Sequence, residues 1–497
     1  MTLKKIILAF LAIICLLSTL SSTGHKLSAK AQTRVWTVDD NGPADFNKIQ
    51  EAVNNASSGD TIFVHEGTYN ESIEINKSVS LVGEDRDLTI VNGQDADFAI
   101  SITADNVTVK SFTIKKESPR TTDSGIRLLS SGNTINHNKI VGIYTGIILY
   151  LFINNMVSDN IVLSSNDTGI SLLFSTNNWF IGNTISNNQQ GISVETSRNN
   201  WFIGNTISNN QQGMSLTGTS SFNFFYDNSF YDPVNLDRGL ANTWSYGGEG
   251  NYWSNYSGHD LNGDGIGDEP YSLDVGNRDG SPLMGAFSTF NVVLARKTYD
   301  VTLISNSTVS DFKFDQGTET GNRIIRFNVA GKDGTVGFSR IVIPIGLMNY
   351  SLVLADGEEA VSMKLDISNR THVYLYLTYS HTNQTIMVIS SKTLNLYNEL
   401  LDNFSKLQTD LHSLTEIYSN LLSNYDALLG NYSQLQQSYS ELNASYHDHL
   451  VDYQSNLENF KSLMYIFAFS TAIFIITTIY LSKRLHAPAG KTFEDKK

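Results

Sequence analysis

The sequence predicts a mainly β chain: a parallel β-helix, then an antiparallel β-sandwich, a coiled-coil stalk and one C-terminal transmembrane helix. Three observations carry this. A repeat near 22 residues runs through the first half, and short alternating segments between Gly, Asp and Asn turns follow it. An unbroken 3–4 spacing of Leu and Tyr then ends in an apolar run. Of 497 residues, 40% are hydrophobic, enough to build cores, so wholesale disorder is excluded. The formal charge of −15 repels a phosphate backbone and argues against nucleic acid as a partner.

Taken in order, Lys4 and Lys5 precede an apolar run from Ile6 to Leu20 and a polar stretch ending Ala29-Lys30-Ala31. That is the pattern of a cleaved signal peptide over residues 1–31, because about 15 apolar residues is short for a membrane span. Cys15, the only cysteine, lies inside it, so the mature chain is expected to have no disulfide or thiol chemistry.

The β-helix is expected over residues 33–285. Asn177 to Gly191 and Asn199 to Gly213 are the same fifteen residues, 22 positions apart. Gly125, Gly146, Gly169, Gly191 and Gly213 step by 21, 23, 22 and 22, and Asn138, Asn160, Asn183, Asn205 and Asn228 keep phase with them. A coil of this length holds three short strands that bury nothing alone, so coils must stack. Ile185, Ile192 and Val194 are expected to point inward above Ile207, Met214 and Leu216, with the asparagines stacked at the bends. Asp45 to Ala56 reads as an amphipathic helix capping the open end, with Phe46, Ile49 and Val53 on one face.

Gly59-Asp60-Thr61-Ile62-Phe63-Val64 through Leu81-Val82-Gly83 resembles the opening coils of pectin-lyase-like β-helices. With Gly250-Asn251-Tyr252-Trp253-Ser254, Asp260 to Asp268, Pro270-Tyr271 and Pro282-Leu283-Met284 closing the domain, residues 33–285 resemble the NosD-type family. The resemblance implies a right-handed parallel β-helix of the carbohydrate-binding and sugar-hydrolase group; the chain's acidity and its N-x-S/T sequons point to an archaeal-type cell surface.

No catalytic residues are assigned. Glycoside hydrolysis needs two carboxylates across one bond, and residues 120–230 present mostly Asn, Ser, Thr and Gln outward. Glu195 and Arg198, which break the repeat, read as solvated turn residues. The family's association with copper implies grouped Cys, His or Met, but the histidines are scattered and the His447-x-His449 pair falls in the stalk, so copper is not expected. Calcium is. Asp260, Asn262, Asp264 and Asp268 stand at positions 1, 3, 5 and 9 of an oxygen-ligand loop, with Ile266 lending its carbonyl and Tyr271 where an EF-hand has Glu. Trp179, Trp201 and Phe224 are expected to form an outward column able to stack on a neutral glycan, or merely on itself.

Residues 286–392 alternate in segments such as Tyr299–Ile304 and His372–Thr378, as a β-sandwich does. From Leu400 the 3–4 spacing predicts a coiled coil over residues 393–461, associating the chain with copies of itself. Leu463 to Leu481 is uncharged and long enough to cross a membrane within residues 462–482. Lys483 and Arg484 place the tail, 483–497, in the cytoplasm and the N-terminal ectodomain outside. Thirteen N-x-S/T sequons, all between the two apolar segments, fit a glycosylated exterior. The combination predicts a non-catalytic, membrane-anchored protein for adhesion or envelope organisation through glycan or surface-protein contacts. The alternative is a surface polysaccharide lyase, hydrolase or epimerase using the β-helix groove.

Overall fold

The computed structural model describes residues 33–485, apart from 233–234, 275, 318–320 and 351. The signal peptide expected at 1–31 and most of the tail expected at 483–497 lie outside the described residues. The chain divides into two units, one ending at Asn395 and one beginning at Leu396.

The first unit opens with a right-handed parallel β-helix of about nine turns. Its first face stacks nine strands from Val35–Val38 to Phe224–Tyr226, its second nine from Gly67–Tyr69 to Tyr252–Trp253, and its third eight from Ile73–Ile75 to Asn235–Asp237. The repeat sets the register: Phe180 pairs with Phe202, Ile185 with Ile207, Ile192 with Met214 and Val194 with Leu216. All eight are buried. Like therefore sits on like along the core, and the Phe180, Phe202 and Phe225 rings stack at 4.8 Å intervals.

The asparagines do more than turn the chain. From Asn138 through Asn160, Asn183, Asn205, Asn228 and Asn251, each backbone N–H and side-chain amide donates to the next rung's Oδ1 at 2.9–3.2 Å. Every rung donates in the same direction, so the last rung needs a pure acceptor. Asp279 supplies it, taking the Asn251 backbone N–H at 2.7 Å. A parallel ladder from Asn133 to Asn242 ends on Asp237, and Asn188–Asn210 ends on Asp232. Asp237 and Asp279 each also receive an indole N–H, from Trp244 at 3.0 Å and Trp253 at 2.9 Å.

The capping helix runs Ile49–Asn55, shorter than the 45–56 expected. Asp45 is held back by its carboxylate, which takes both the backbone N–H and the hydroxyl of Thr37 at 3.0 Å. Glu71 instead caps the helix, accepting the N–H groups of Ile49 and Gln50 at 2.8 and 2.9 Å.

After the β-helix come two five-stranded antiparallel sheets. Val301, Ile341 and Leu375 from one and Phe327, Ile386 and Val388 from the other fill one apolar core. A smaller cluster of Leu283, Ile304 and Phe338, with Ile266 and Tyr376 against it, joins these sheets to the end of the β-helix.

The second unit is the long helix Lys392–Leu485, which begins just before the division. It is continuous through the expected stalk and span. By length and composition it is able to cross a membrane. Every Leu and Tyr of the 3–4 seam is exposed, including Leu400, Leu421, Tyr432 and Leu442.

Candidate functional site

Three places bring functional side chains together. The first is the outward column. On each first-face strand the residue before an inward Phe points out, so Trp179 pairs with Trp201 and Trp201 with Phe224. The rings stack face to face, at 5.0 Å and 6° and then at 4.1 Å and 8°. Tyr246 lies edge-on to Trp201 at 5.5 Å, and Tyr226 leans against both. Burial, with Asp227 beside it, pushes the Tyr226 hydroxyl up to about 12, so it stays a neutral donor. The ring faces cover one another. What the column offers outward is a ribbon of aromatic edges, ending at Trp179, which is 37% exposed and pairs with Met156 on the rung before.

The second is the acidic loop. Its oxygens are the hard donors calcium takes, and they are turned onto the loop's own backbone. Asp260 accepts the N–H groups of Gly263 at 2.8 Å, Asp264 at 3.1 Å and Gly265 at 2.8 Å. Asp264 accepts from Ile266 at 2.9 Å, and Asp268 from Leu261 at 2.7 Å. Asn262 Nδ2 donates to Asp264 at 3.1 Å. Gly265 has a positive φ of 83° and lies so close to Arg340 and Phe338 that a Cβ would stand 3.2 Å from the arginine stem. The loop is thus packed under the antiparallel sheets. Burial, reinforced by Asp260 and Asp264, raises the Tyr376 hydroxyl to about 12.

The third site escaped sequence reasoning. Glu249 meets Arg340, 91 residues away, at 2.6 Å, and Arg340 is 1% exposed. Asp227 joins them: burial, then the neighbouring Glu249 carboxyl, holds its carboxyl well above the usual range, with Arg340 opposing. Asp227 Oδ1 and the Nε and Nη1 of Arg340 are buried without a protein partner, and the guanidinium lies over the Tyr374 ring at 5.4 Å. The trio brings two carboxyls together beside a basic residue. It forms because the antiparallel sheets supply the guanidinium, and no periodicity reports that.

Among the described residues no three His, Cys, Asp or Glu side chains are grouped to hold a metal. The β-helix histidines stand on different coils, His65 and His259 each paired with a glutamate, which does not fit a copper centre.

Residues 53–258 match the model of a family described as "Periplasmic copper-binding protein (NosD)". Comparison with curated protein sequences returned no match. Solved structures similar in part include pectin methylesterase from carrot, at 11% identity and a TM-score of 0.31, covering 42% of this chain and 82% of that one. Pectate lyase Pel9A is similar at 15% identity and 0.31, over 49% and 84%. The enzymatically active domain of bacteriophage CBA120 tailspike protein 2 is similar at 11% and 0.32, over 68% and 76%. By this match and by its solenoid, the β-helical segment of this chain is similar to the NosD family.

Proposed function

We propose that this is a membrane-anchored surface protein whose β-helix binds rather than transforms its ligand, contacting glycans or neighbouring surface proteins. The observation that carries the reading is the column of Trp179, Trp201 and Phe224, bordered by Tyr226 and Tyr246 hydroxyls. Aromatic edges beside neutral donors suit a neutral sugar chain lying along the coils. In this reading residues 1–31 are a cleaved signal, the ectodomain is outside and glycosylated, residues 286–392 are a β-sandwich spacer, residues 393–461 are a coiled coil associating copies of the chain, and residues 462–482 cross the membrane. The test is a glycan array probed with the full chain in nanodiscs, alongside Trp179→Ala. Binding that the substitution weakens supports the reading. No glycan bound by the parent chain removes the glycan contact.

A second reading, a polysaccharide-active enzyme, is favoured by Asp227 and Glu249 beside Arg340. Arg340 is enclosed, so a sugar could reach the trio only after the joint opened. New reducing ends or unsaturated products from a polysaccharide panel, abolished by Glu249→Gln, would establish that reading instead.

Calcium belongs to the proposal as a structural ion at Asp260, Asn262, Asp264, Ile266 and Asp268. Binding would have to turn these oxygens away from the loop's own N–H groups.

A further inference from the structure

The corner where the third face turns back into the first is unlike the rest of the surface. Of thirteen large hydrophobic side chains exposed on the described part of residues 33–285, nine lie at this corner, on four of the five successive rungs formed by residues 150–156, 173–179, 195–201, 217–224 and 240–246, the middle rung contributing none. Tyr150, Leu151, Ile153, Phe174, Phe222 and Leu240 are among them. The apolar side chains are placed at a cost. Leu151, Phe174 and Phe222 have φ of 71°, 51° and 56°, the left-handed region that favours Gly and Asn. Equivalent positions on neighbouring rungs show the cheaper choice: Gly218 in line with Leu151 and Phe174, and Asn154, Asn177 and Asn199 in line with Phe222. A strained backbone holding an exposed apolar side chain gains nothing within the chain. It gains only if something covers it.

The charges say what. In a chain of formal charge −15, these thirty-six residues contain two charged side chains, Glu195 and Arg198, of opposite sign and both on the middle rung. Both are exposed, and Arg198 bridges in parallel to Thr176 on one side and Ser221 on the other. The patch is therefore charge-neutral and self-complementary about its own centre, as an isologous contact between identical chains requires. We infer that this corner packs against the same corner of a second copy of the chain, Glu195 of each facing Arg198 of the other.

The geometry also chooses the direction. A two-fold axis running along the β-helix carries one side of the corner onto the other at the same height, so Glu195 meets the partner's Arg198. An axis across the β-helix reverses height and keeps the side, so on the middle rung like meets like. Only the first is attractive, and it sets the two β-helices parallel. Four rung spacings of about 4.8 Å by about seven residues at about 3.3 Å give a footprint of roughly 440 Å² per chain, about half a standard interface. Such a contact is weak in dilute solution and is made effective by tethering. The Trp column lies at the rim of this face. The inference goes beyond the glycan reading and does not depend on it.

The test uses the full chain in lipid vesicles, with Cys15→Ser and Thr196→Cys to place a thiol near the axis. A parallel contact predicts an oxidised dimer through position 196. Glu195→Arg alone and Arg198→Glu alone should each lower dimer yield roughly tenfold, since two symmetric pairs turn repulsive at once. The double swap should restore it. Leu151→Asn, Phe174→Asn and Phe222→Asn together should lower the yield as much while leaving the melting temperature unchanged or higher. A stalk that merely holds the heads near one another would respond to none of these. No cross-link at 196, equal yield after the single swaps, or failure of the double swap to restore it overturns the inference.

Discussion

The β-helix and the long helix both repeat apolar residues at a fixed interval, yet one hides them and the other does not. Along the coils Phe180, Phe202, Ile185 and Ile207 are fully buried, each against its own copy one turn on. Along the helix Leu400, Leu421 and Leu442 are more than 60% exposed. A period of 22 brings the chain back over itself, so one molecule supplies both sides of every contact. A 3–4 period puts its stripe on a single helix, which has no second side. The first region can be stable alone, whereas the apolar stripe of the second asks for another helix or a bilayer.

That contrast can be broken by mutation. Phe202→Ala empties one layer of a closed stack and should cost about 3–5 kcal/mol, read as a large fall in the melting temperature of the β-helix. Leu421→Ala, at 62% exposure, should leave that transition where it is. Equal effects would mean that the helix seam is buried by something in the folded chain. The same substitution separates assembly from folding: Leu421→Ala should weaken concentration-dependent sedimentation of residues 393–461 while leaving the melting temperature of the β-helix in the full chain where it is.

A somewhat smaller effect comes from pH at the end of the ladders. Burial outweighs the donated N–H groups at Asp279 and raises its carboxyl to about 6, above the 3.8 of the unfolded chain. The stability this group contributes is present in full below about pH 4 and lost as pH rises through 6. A shift of this size is on the order of 3 kcal/mol. Asp60 and Asp97 run the other way. Backbone N–H groups lower the first and Arg127 the second, so their stabilisation is lost as pH falls below the usual carboxylate range. The melting temperature should therefore peak in mildly acidic buffer, and Asp279→Asn should flatten the fall between pH 4 and 6. A parent chain with no such fall would place the cap in water.

The proposed calcium loop ranks next. At 100 times the dissociation constant the ion adds about 2.7 kcal/mol. Chelator should lower the melting temperature of the parent chain and leave Asp264→Ala unmoved. No change in the parent would remove the ion from the proposal. The smallest effect concerns Asn306. Its amide donates to the Val336 carbonyl at 3.1 Å and accepts the Phe338 N–H at 2.8 Å, so this sequon is engaged in the sheet. Mass spectrometry should find it unmodified where exposed sequons carry glycan.

Much of the β-helix could be read from the chain alone, because a repeat states its own register. Once Asn183 and Asn205 are 22 apart, so are Trp179 and Trp201, and the ladder, the inward stack and the outward column follow without knowing any distance. The same reasoning could not say that the ring faces would cover each other, since that depends on the rotamers neighbours allow. Nor could it find the carboxylates that close the ladders. Asp279 lies 28 residues beyond Asn251, outside the period, and is needed only because the hydrogen bonds all run one way. Arg340 is the furthest case: on its own strand it is one polar residue among alternating ones, and its meaning comes from Asp227 and Glu249 across a packed joint. Local periodicity decided the coils and the helix, whose contacts are between equivalent positions. The closing carboxylates and the joint are contacts between unlike parts, and only the tertiary structure brings those together.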